Sequence, residues 1–202
     1  MGSANKIIGQ SIPRPNAMSF IQGRARYTDD IVVPGMLHVC YVRSPYAHVK
    51  ILKIDFDEAI ASTGVVRIIN GKELLPYCQP WTAKLTNLGD VKTMPQYAMP
   101  PEIACWQGEA VVAVIAESRA LAEDAAELVD VEWEELAAIT DLEEAAKPDT
   151  PLIHPELETN VAWSMNIDVG SVDEALKNSD LIIEKTFEVA RQTGVTLEPR
   201  GI

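Results

Sequence analysis

Cysteine, histidine and clustered carboxylates are the side chains of this sequence with the most chemical reach, and their spacing decides what they could do. Cys40, Cys78 and Cys105 are odd in number and widely separated, with no Cys-x-x-Cys pair. They write neither a disulfide framework nor a zinc or iron–sulfur ligand set, and are expected as small buried hydrophobes. His38, His48 and His154 stand alone, with no pair at the i, i+4 spacing that puts two imidazoles on one helix face. Asp29-Asp30, Glu132-Glu134-Glu135 and Glu143-Glu144 bring carboxylates together, but each lies in a polar stretch that reads as a solvated face. A Gly-x-Ser-x-Gly elbow, a Walker loop and a Gly-x-Gly-x-x-Gly turn after a strand are all absent, which removes the usual marks of hydrolases, NTPases and dinucleotide binders. No residue is therefore assigned as catalytic, cofactor-binding or metal-ligating.

The elements around these residues have to be read from hydropathy. Ala110-Val111-Val112-Ala113-Val114-Ile115-Ala116 is a continuous apolar run, short for a helix, and is expected as a strand buried on both faces. Ser118 then caps a helix with Leu121, Ala125 and Leu128 at helical spacing and Glu123, Asp124 and Glu127 on the wet side. Residues 129–134 alternate as a half-exposed strand. Earlier, Val49, Ile51, Leu52 and Ile54 form a strand. Carboxylates at Asp55, Asp57 and Glu58 open a short helix, which Gly64 ends in the left-handed conformation. Val65-Val66-Arg67-Ile68-Ile69 returns as a strand, with Asn70-Gly71 as a turn. Two such units predict a mixed sheet with helices packed on it, an α+β fold.

The flanks are less regular. Pro13 and Pro15 make residues 1–19 an irregular arm, Pro34-Gly35 reads as a type II turn, and 36–42 is rich in strand formers. Residues 72–101 form a long surface connection. Residues 141–147 can make one or two helical turns, and Pro148, Pro151 and Pro155 punctuate a linker. Residues 161–169 and 180–189 alternate like strands of a second domain, separated by a capping box at Ser171 and Glu174 that opens a helix through Lys177. The closing Leu197-Glu198-Pro199-Arg200-Gly201 is read as a charged turn with Glu198 paired to Arg200. The stop after Ile202 gives the expectation of a longer polypeptide.

Bulk properties narrow the partners. At 202 residues and 47% hydrophobic, the chain can bury roughly 70% of the surface its unfolded form exposes. Its 17 basic and 30 acidic residues give a formal charge of −13, which repels a phosphate backbone, so nucleic acid is not expected. No run of about 18 apolar residues is available to span a bilayer, and the first ten residues lack the apolar core of a secretory signal. A soluble, cytoplasmic protein is expected.

Extended motifs add a resemblance. Gly23-Arg24-Ala25-Arg26-Tyr27-Thr28-Asp29-Asp30-Ile31, Pro34-Gly35-Met36-Leu37-His38 and Val42-Arg43-Ser44-Pro45-Tyr46-Ala47-His48 resemble the opening of the large, molybdenum-binding subunit of the xanthine dehydrogenase, aldehyde oxidase and carbon monoxide dehydrogenase family. The segment from Gln107-Gly108-Glu109 through the 110–116 strand to Ala122-Glu123-Asp124-Ala125-Ala126 and Val129-Asp130-Val131-Glu132-Trp133 is similar to that family's Val-Gly-Glu-Pro-Val-Ala region and the helix after it. Gly170 through Ala175 and the closing Leu197-Glu198-Pro199-Arg200-Gly201 also fall in the family's order; Gln107, Ala110 and Ser171 depart from the residues usual at their positions.

The resemblance implies an arm over 1–19, an α/β-hammerhead domain over 20–136, a linker over 137–160 and the first strands of an incomplete molybdopterin-binding domain over 161–202. It further implies a molybdenum-dependent hydroxylase or dehydrogenase that oxidises an aldehyde, an N-heterocycle or a similar small molecule with water-derived oxygen. The cofactor would be molybdenum–molybdopterin, with FAD and 2Fe–2S on partner subunits or domains. The partners implied are the remainder of the large subunit, the iron–sulfur and flavin subunits and the small-molecule substrate. The segment by itself is expected to be inactive. The alternative is a non-catalytic assembly module on the same hammerhead fold.

Overall fold

The computed structural model describes residues 7–84, 87–89, 91–167, 169–190, 192–196, 198 and 200–202. The chain divides into two compact units, one of Met1–Met36 with Ile183–Ile202 and one of Leu37–Ile182.

The larger unit holds two three-stranded sheets. Strand β1 is His38–Arg43, β2 Val49–Asp55, β3 Val65–Asn70, β4 Ile103–Ala104, β5 Ala110–Ala116 and β6 Asp130–Glu135. One sheet runs β1-β5-β3 and the other β4-β2-β6. All the strand pairs are antiparallel, so the single mixed sheet expected from the sequence is instead two antiparallel sheets. A strand–helix–strand repeat suggests a parallel crossover, but β2 and β3 part into different sheets, as do β5 and β6.

β5 owes its unbroken apolar run to its place between β1 and β3, with Val111, Val112 and Val114 fully buried. Together with Val49, Ile51, Ala59, Ile68, Ala104 and Ala125 they form one core shared by the two sheets. Each buried valine contributes about 1.5–3 kcal/mol over its exposed state. Helix α1 is Ala17–Ile21, α2 Asp57–Ala61, α3 Gly71–Leu74, α4 Arg119–Ala126, α5 Leu142–Ala145 and α6 Val172–Lys177. α4 packs on β1 and β5, and α2 on β3. With only eight residues, α4 could not persist alone; buried Ala122 and Ala125 dock it closely, and Ser118 Oγ accepts the Leu121 N–H at 3.3 Å. Gly64 is required by its φ of +78°, and a side chain there would also press on the tip of Leu121.

Several local expectations need correction. The phase slip in Val49, Ile51, Leu52 and Ile54 marks a register shift between Ile51 and Lys53 against β6; Leu52 is the extra, exposed residue of a bulge. Asn70-Gly71 is not a simple turn. Asn70 accepts the Glu73 N–H at 3.1 Å while Glu73 accepts the Asn70 N–H at 3.2 Å, a reciprocal capping box that starts α3. The box expected at Ser171 does not form: α6 is present, but Ser171 makes no side-chain cap bond. Of the stretches 161–169 and 180–189, none of the described residues enters a strand. Their apolar side chains, Leu181, Ile183, Phe187 and Val189 among them, stand exposed, since a strand exists only where a neighbour completes its ladder.

In the smaller unit the arm is more regular than its prolines suggest. α1 occupies 17–21, and the chain doubles back after it, with the Arg24 and Ala25 N–H groups donating to Ser19 O at 2.8 and 3.0 Å. Phe20 and Tyr27 meet at a tilt, 5.5 Å between centroids, and the Arg14 guanidinium covers Phe20 at 4.8 Å. Thr28–Asp30 forms a 3-10 turn, with Asp30 Oδ2 accepting the Tyr27 N–H at 2.9 Å. The turn at Pro34-Gly35 forms as expected, closed by Met36 N–H to Val33 O at 3.0 Å, with Gly35 at φ +78°. Parts of the sequence reading fall on Met1–Lys6, Asp168, Leu197 and Pro199, which lie outside the described residues.

Candidate functional site

The antiparallel pairing of β1 with β5 sets Arg43 opposite Ala110. The segments Arg43-Ser44-Pro45-Tyr46-Ala47-His48 and Trp106-Gln107-Gly108-Glu109 therefore meet at one end of that sheet. Ser44, His48 and Glu109 are the buried polar side chains of the described residues, and all three belong to this corner or its margin. Such burial is tolerated only where hydrogen bonds replace water.

The Ser44 N–H donates to Glu109 O and the Gly108 N–H to Ser44 O, each at 2.8 Å, which carries the ladder past the register shift at Val42 and Arg43. Arg43 Nη1 donates to Gly108 O at 2.8 Å, with its guanidinium 5.4 Å from the Tyr41 ring centre. Ser44 Oγ donates to Tyr46 O at 2.8 Å and accepts the Tyr46 N–H at 3.2 Å, folding the Ser-Pro-Tyr turn on itself. His48 Nδ1 donates to Ala137 O at 2.7 Å, while Leu136 N–H donates to His48 O at 3.0 Å. These two bonds tie the start of β2 to the chain leaving β6. Tyr46 meets Trp133 of β6 edge-on, 6.4 Å between centroids.

Glu109 is the most unusual group. Its carboxylate accepts the Cys105 N–H at 2.7 Å. Burial raises its pKa above the ordinary carboxylate value, while the backbone N–H groups of Cys105 and Trp106 pull it down. The Cys105 thiol is pushed up to about 11, first by burial and then by the nearby charges of Glu109 and Glu156, so it stays protonated and unreactive at neutral pH. Cys40 is raised for the same leading reason, with Glu123 adding to it. None of the three cysteines meets the expected burial: Cys40 and Cys105 are half-buried, and Cys78 is exposed, on the connection after α3.

The other residues singled out by type are not brought together. His38 opens β1 opposite Ala116, and His154 precedes the 3-10 turn Pro155–Leu157. Glu134 pairs with Lys50 at 3.7 Å on the exposed β2–β6 face. Glu143 and Glu144 occupy the first turn of α5, where Asp141 Oδ1 caps the Glu144 N–H at 2.8 Å. Glu198 forms no ion pair with Arg200; it accepts from Thr28 instead. Among the described residues no group of three or more His, Cys, Asp or Glu side chains could hold a metal ion. An open groove of about 590 Å³ lined by Leu88, Lys92, Trp163 and Met165 contributes a single titratable side chain. The hydrogen bonds of Arg43, Ser44, His48 and Glu109 run to one another's segments and to backbone, so the corner acts as a structural clamp between loops.

The sequence flags both segments of this corner only as resemblance motifs. The contact between them, and the burial of Glu109, have no local signal beyond a Gly-Glu pair directly preceding an apolar strand.

Two antiparallel sheets on a shared core, clamped at the β1–β5 end by a Ser-Pro-Tyr turn and a buried Gly-Glu, define a compact α+β domain of a recurring kind. Residues 22–137 match the family described as aldehyde oxidase and xanthine dehydrogenase, a/b hammerhead domain, and the chain belongs to that family. It is 35% identical over 196 residues to the nicotine 6-hydroxylase large subunit of Paenarthrobacter nicotinovorans, covering 96% of this chain and 24% of that protein. To the carbon monoxide dehydrogenase large chain of Hydrogenophaga pseudoflava it is 41% identical over 138 residues, covering 68% and 16%. Among solved structures, quinoline 2-oxidoreductase from Pseudomonas putida 86 superposes with a TM-score of 0.63 at 40% identity, covering 69% of this chain and 18% of that one. The aldehyde oxidoreductase from Desulfovibrio gigas gives 0.64 at 30% identity, covering 71% and 16%. The chain thus spans about a quarter or less of the length of these relatives. No described helix is long and apolar enough to cross a membrane.

Proposed function

We propose that this chain is the hammerhead-bearing part of the large subunit of a cytoplasmic molybdenum-dependent hydroxylase, and that its role there is to build and place scaffold. The observation that carries this is the family match over 22–137, joined to a clamp in which Arg43, Ser44, His48 and Glu109 bond to backbone of the same corner. The organisation that follows is an arm over 1–19, the hammerhead over 20–136, a linker over 137–160 and the start of a molybdopterin-binding domain over 161–202. The whole subunit oxidises an aldehyde, an N-heterocycle or a similar small molecule. Its partners are the remainder of the large subunit and the subunits or domains that carry 2Fe–2S and FAD.

When bound, molybdenum–molybdopterin supplies activation of a water-derived oxygen and accepts electrons from the substrate. No catalytic, cofactor-binding or metal-ligating role is proposed for the described residues. What they supply is a rigid body: the clamp holds β1, β5 and the departing chain in one geometry, and fixed geometry is what a reactive centre needs from its support. Metal and pterin analysis of the purified 202-residue chain tests the proposal. It predicts neither at a stoichiometric level, and a full complement of both on this chain alone would refute it.

A further inference from the structure

We propose that Thr28 is a positioning residue that latches Glu198 and Gly201, near the end of the chain, onto the start of the hammerhead region. Thr28 opens a 3-10 turn, where a backbone N–H has no partner within the turn and must find one elsewhere. It finds Glu198, whose Oε1 accepts both the Thr28 N–H and the Thr28 hydroxyl at 3.2 Å, across a separation of 170 residues. One carboxylate oxygen thus holds backbone and side chain of the same residue, fixing direction as well as distance.

A second contact is independent of the first. A side chain added at Gly201 would collide with the Thr28 methyl, Cγ2, so the backbone of the closing segment lies directly against that methyl. Glycine is needed there for close approach. Thr196 Oγ1 donates to Glu198 O at 3.0 Å and braces the bend that presents the carboxylate. Glu198 makes no ion pair with Arg200, which leaves its charge for Thr28. The two chain ends fall in one compact unit. The consequence rests on the proposed function: in the whole large subunit, the latch ties the start of the cofactor-binding part to the start of the hammerhead region.

Amide hydrogen exchange on the full 202-residue chain tests the latch. Glu198→Ala is expected to speed exchange at the Thr28 amide roughly tenfold, the size of one charge-assisted hydrogen bond, and Glu198→Gln, which keeps Oε1 as an acceptor, to restore most of the protection. Gly201→Ala is expected to speed it as well. Thr28→Ser removes the methyl and keeps the hydroxyl, so Gly201→Ala in that background should have little further effect. Unchanged exchange in 110–116 through the series separates loss of the latch from unfolding. A Thr28 amide indifferent to Glu198→Ala overturns the proposal, as does a Gly201→Ala change that is as disruptive in the Thr28→Ser background as beside the native threonine. Both outcomes are independent of metal content, so the latch and the scaffold role fail separately.

Discussion

Ala110–Ala116 and residues 180–189 both read as strands in the sequence and differ completely as structure. The first is a continuous apolar run, and the second alternates apolar with polar and charged side chains. The first lies between β1 and β3 with Val111, Val112 and Val114 at zero exposure. The second has Ile183 at 76%, Phe187 at 83% and Val189 at 88%, and its described residues enter no ladder. An apolar run records a capacity for burial; which surface fulfils it is decided by neighbours. In this chain β1, β3 and α4 supply them for one run, and none of the described residues does so for the other.

Placing a charge in each run breaks the comparison most sharply. Val114→Asp puts an unpaired carboxylate into the core and is expected to cost more than about 4 kcal/mol, enough to abolish the cooperative thermal transition followed by circular dichroism. Ile183→Asp should move the same transition by less than about 0.5 kcal/mol. Equal losses would mean that the second run is packed as firmly as the first.

The clamp at the end of β5 comes next in size. Glu109→Ala strips the Cys105 N–H of its acceptor and is expected to destabilise by about 1–3 kcal/mol in urea titrations, whereas Glu109→Gln keeps an acceptor and should cost about 1 kcal/mol or less near neutral pH. The pH dependence has a definite sign. The folded-state pKa of Glu109 is raised, so its favourable contribution is complete below the unfolded carboxylate pKa and is lost as pH rises through the folded value. Relative to Glu109→Gln, the native protein should weaken as pH climbs through and just above the ordinary carboxylate range. A difference that grows in the opposite direction would mean that the backbone donors outweigh burial.

Two helix starts give the smallest effect and a clean contrast. Ser118 caps α4 with a side-chain hydrogen bond and Ser171, in the same sequence role, makes none at α6. Ser118→Ala should cost about 1 kcal/mol of stability and Ser171→Ala almost nothing. A comparable loss from both would indicate that α6 is capped in solution.

The same contrast explains what can be read in advance. β5, α4, Gly64 and the turn at Gly35 follow from hydropathy and backbone chemistry within a few residues, and the sequence displays them openly. The bulge at Leu52 is also written there, as a slip in alternation, but only pairing with β6 turns a slip into a bulge. The division into two antiparallel sheets is hidden, because a helix between two strands predicts a crossover and says nothing about strands that part company. Of the clamp, both segments stand out as motifs, while their meeting depends on the β1–β5 register. The Thr28–Glu198 contact has no local signal at all; the natural partner for Glu198 in sequence is Arg200, two residues away.

Hydrogen exchange compared across the two segments tests the central claim most directly: an ordered hammerhead, and a strand-like sequence with no strand partner among the described residues. The account predicts amides of 110–116 exchanging only through opening of the whole domain, slower by several orders of magnitude than those of 180–189, which should exchange at nearly unprotected rates. Equal protection of the two runs would contradict it.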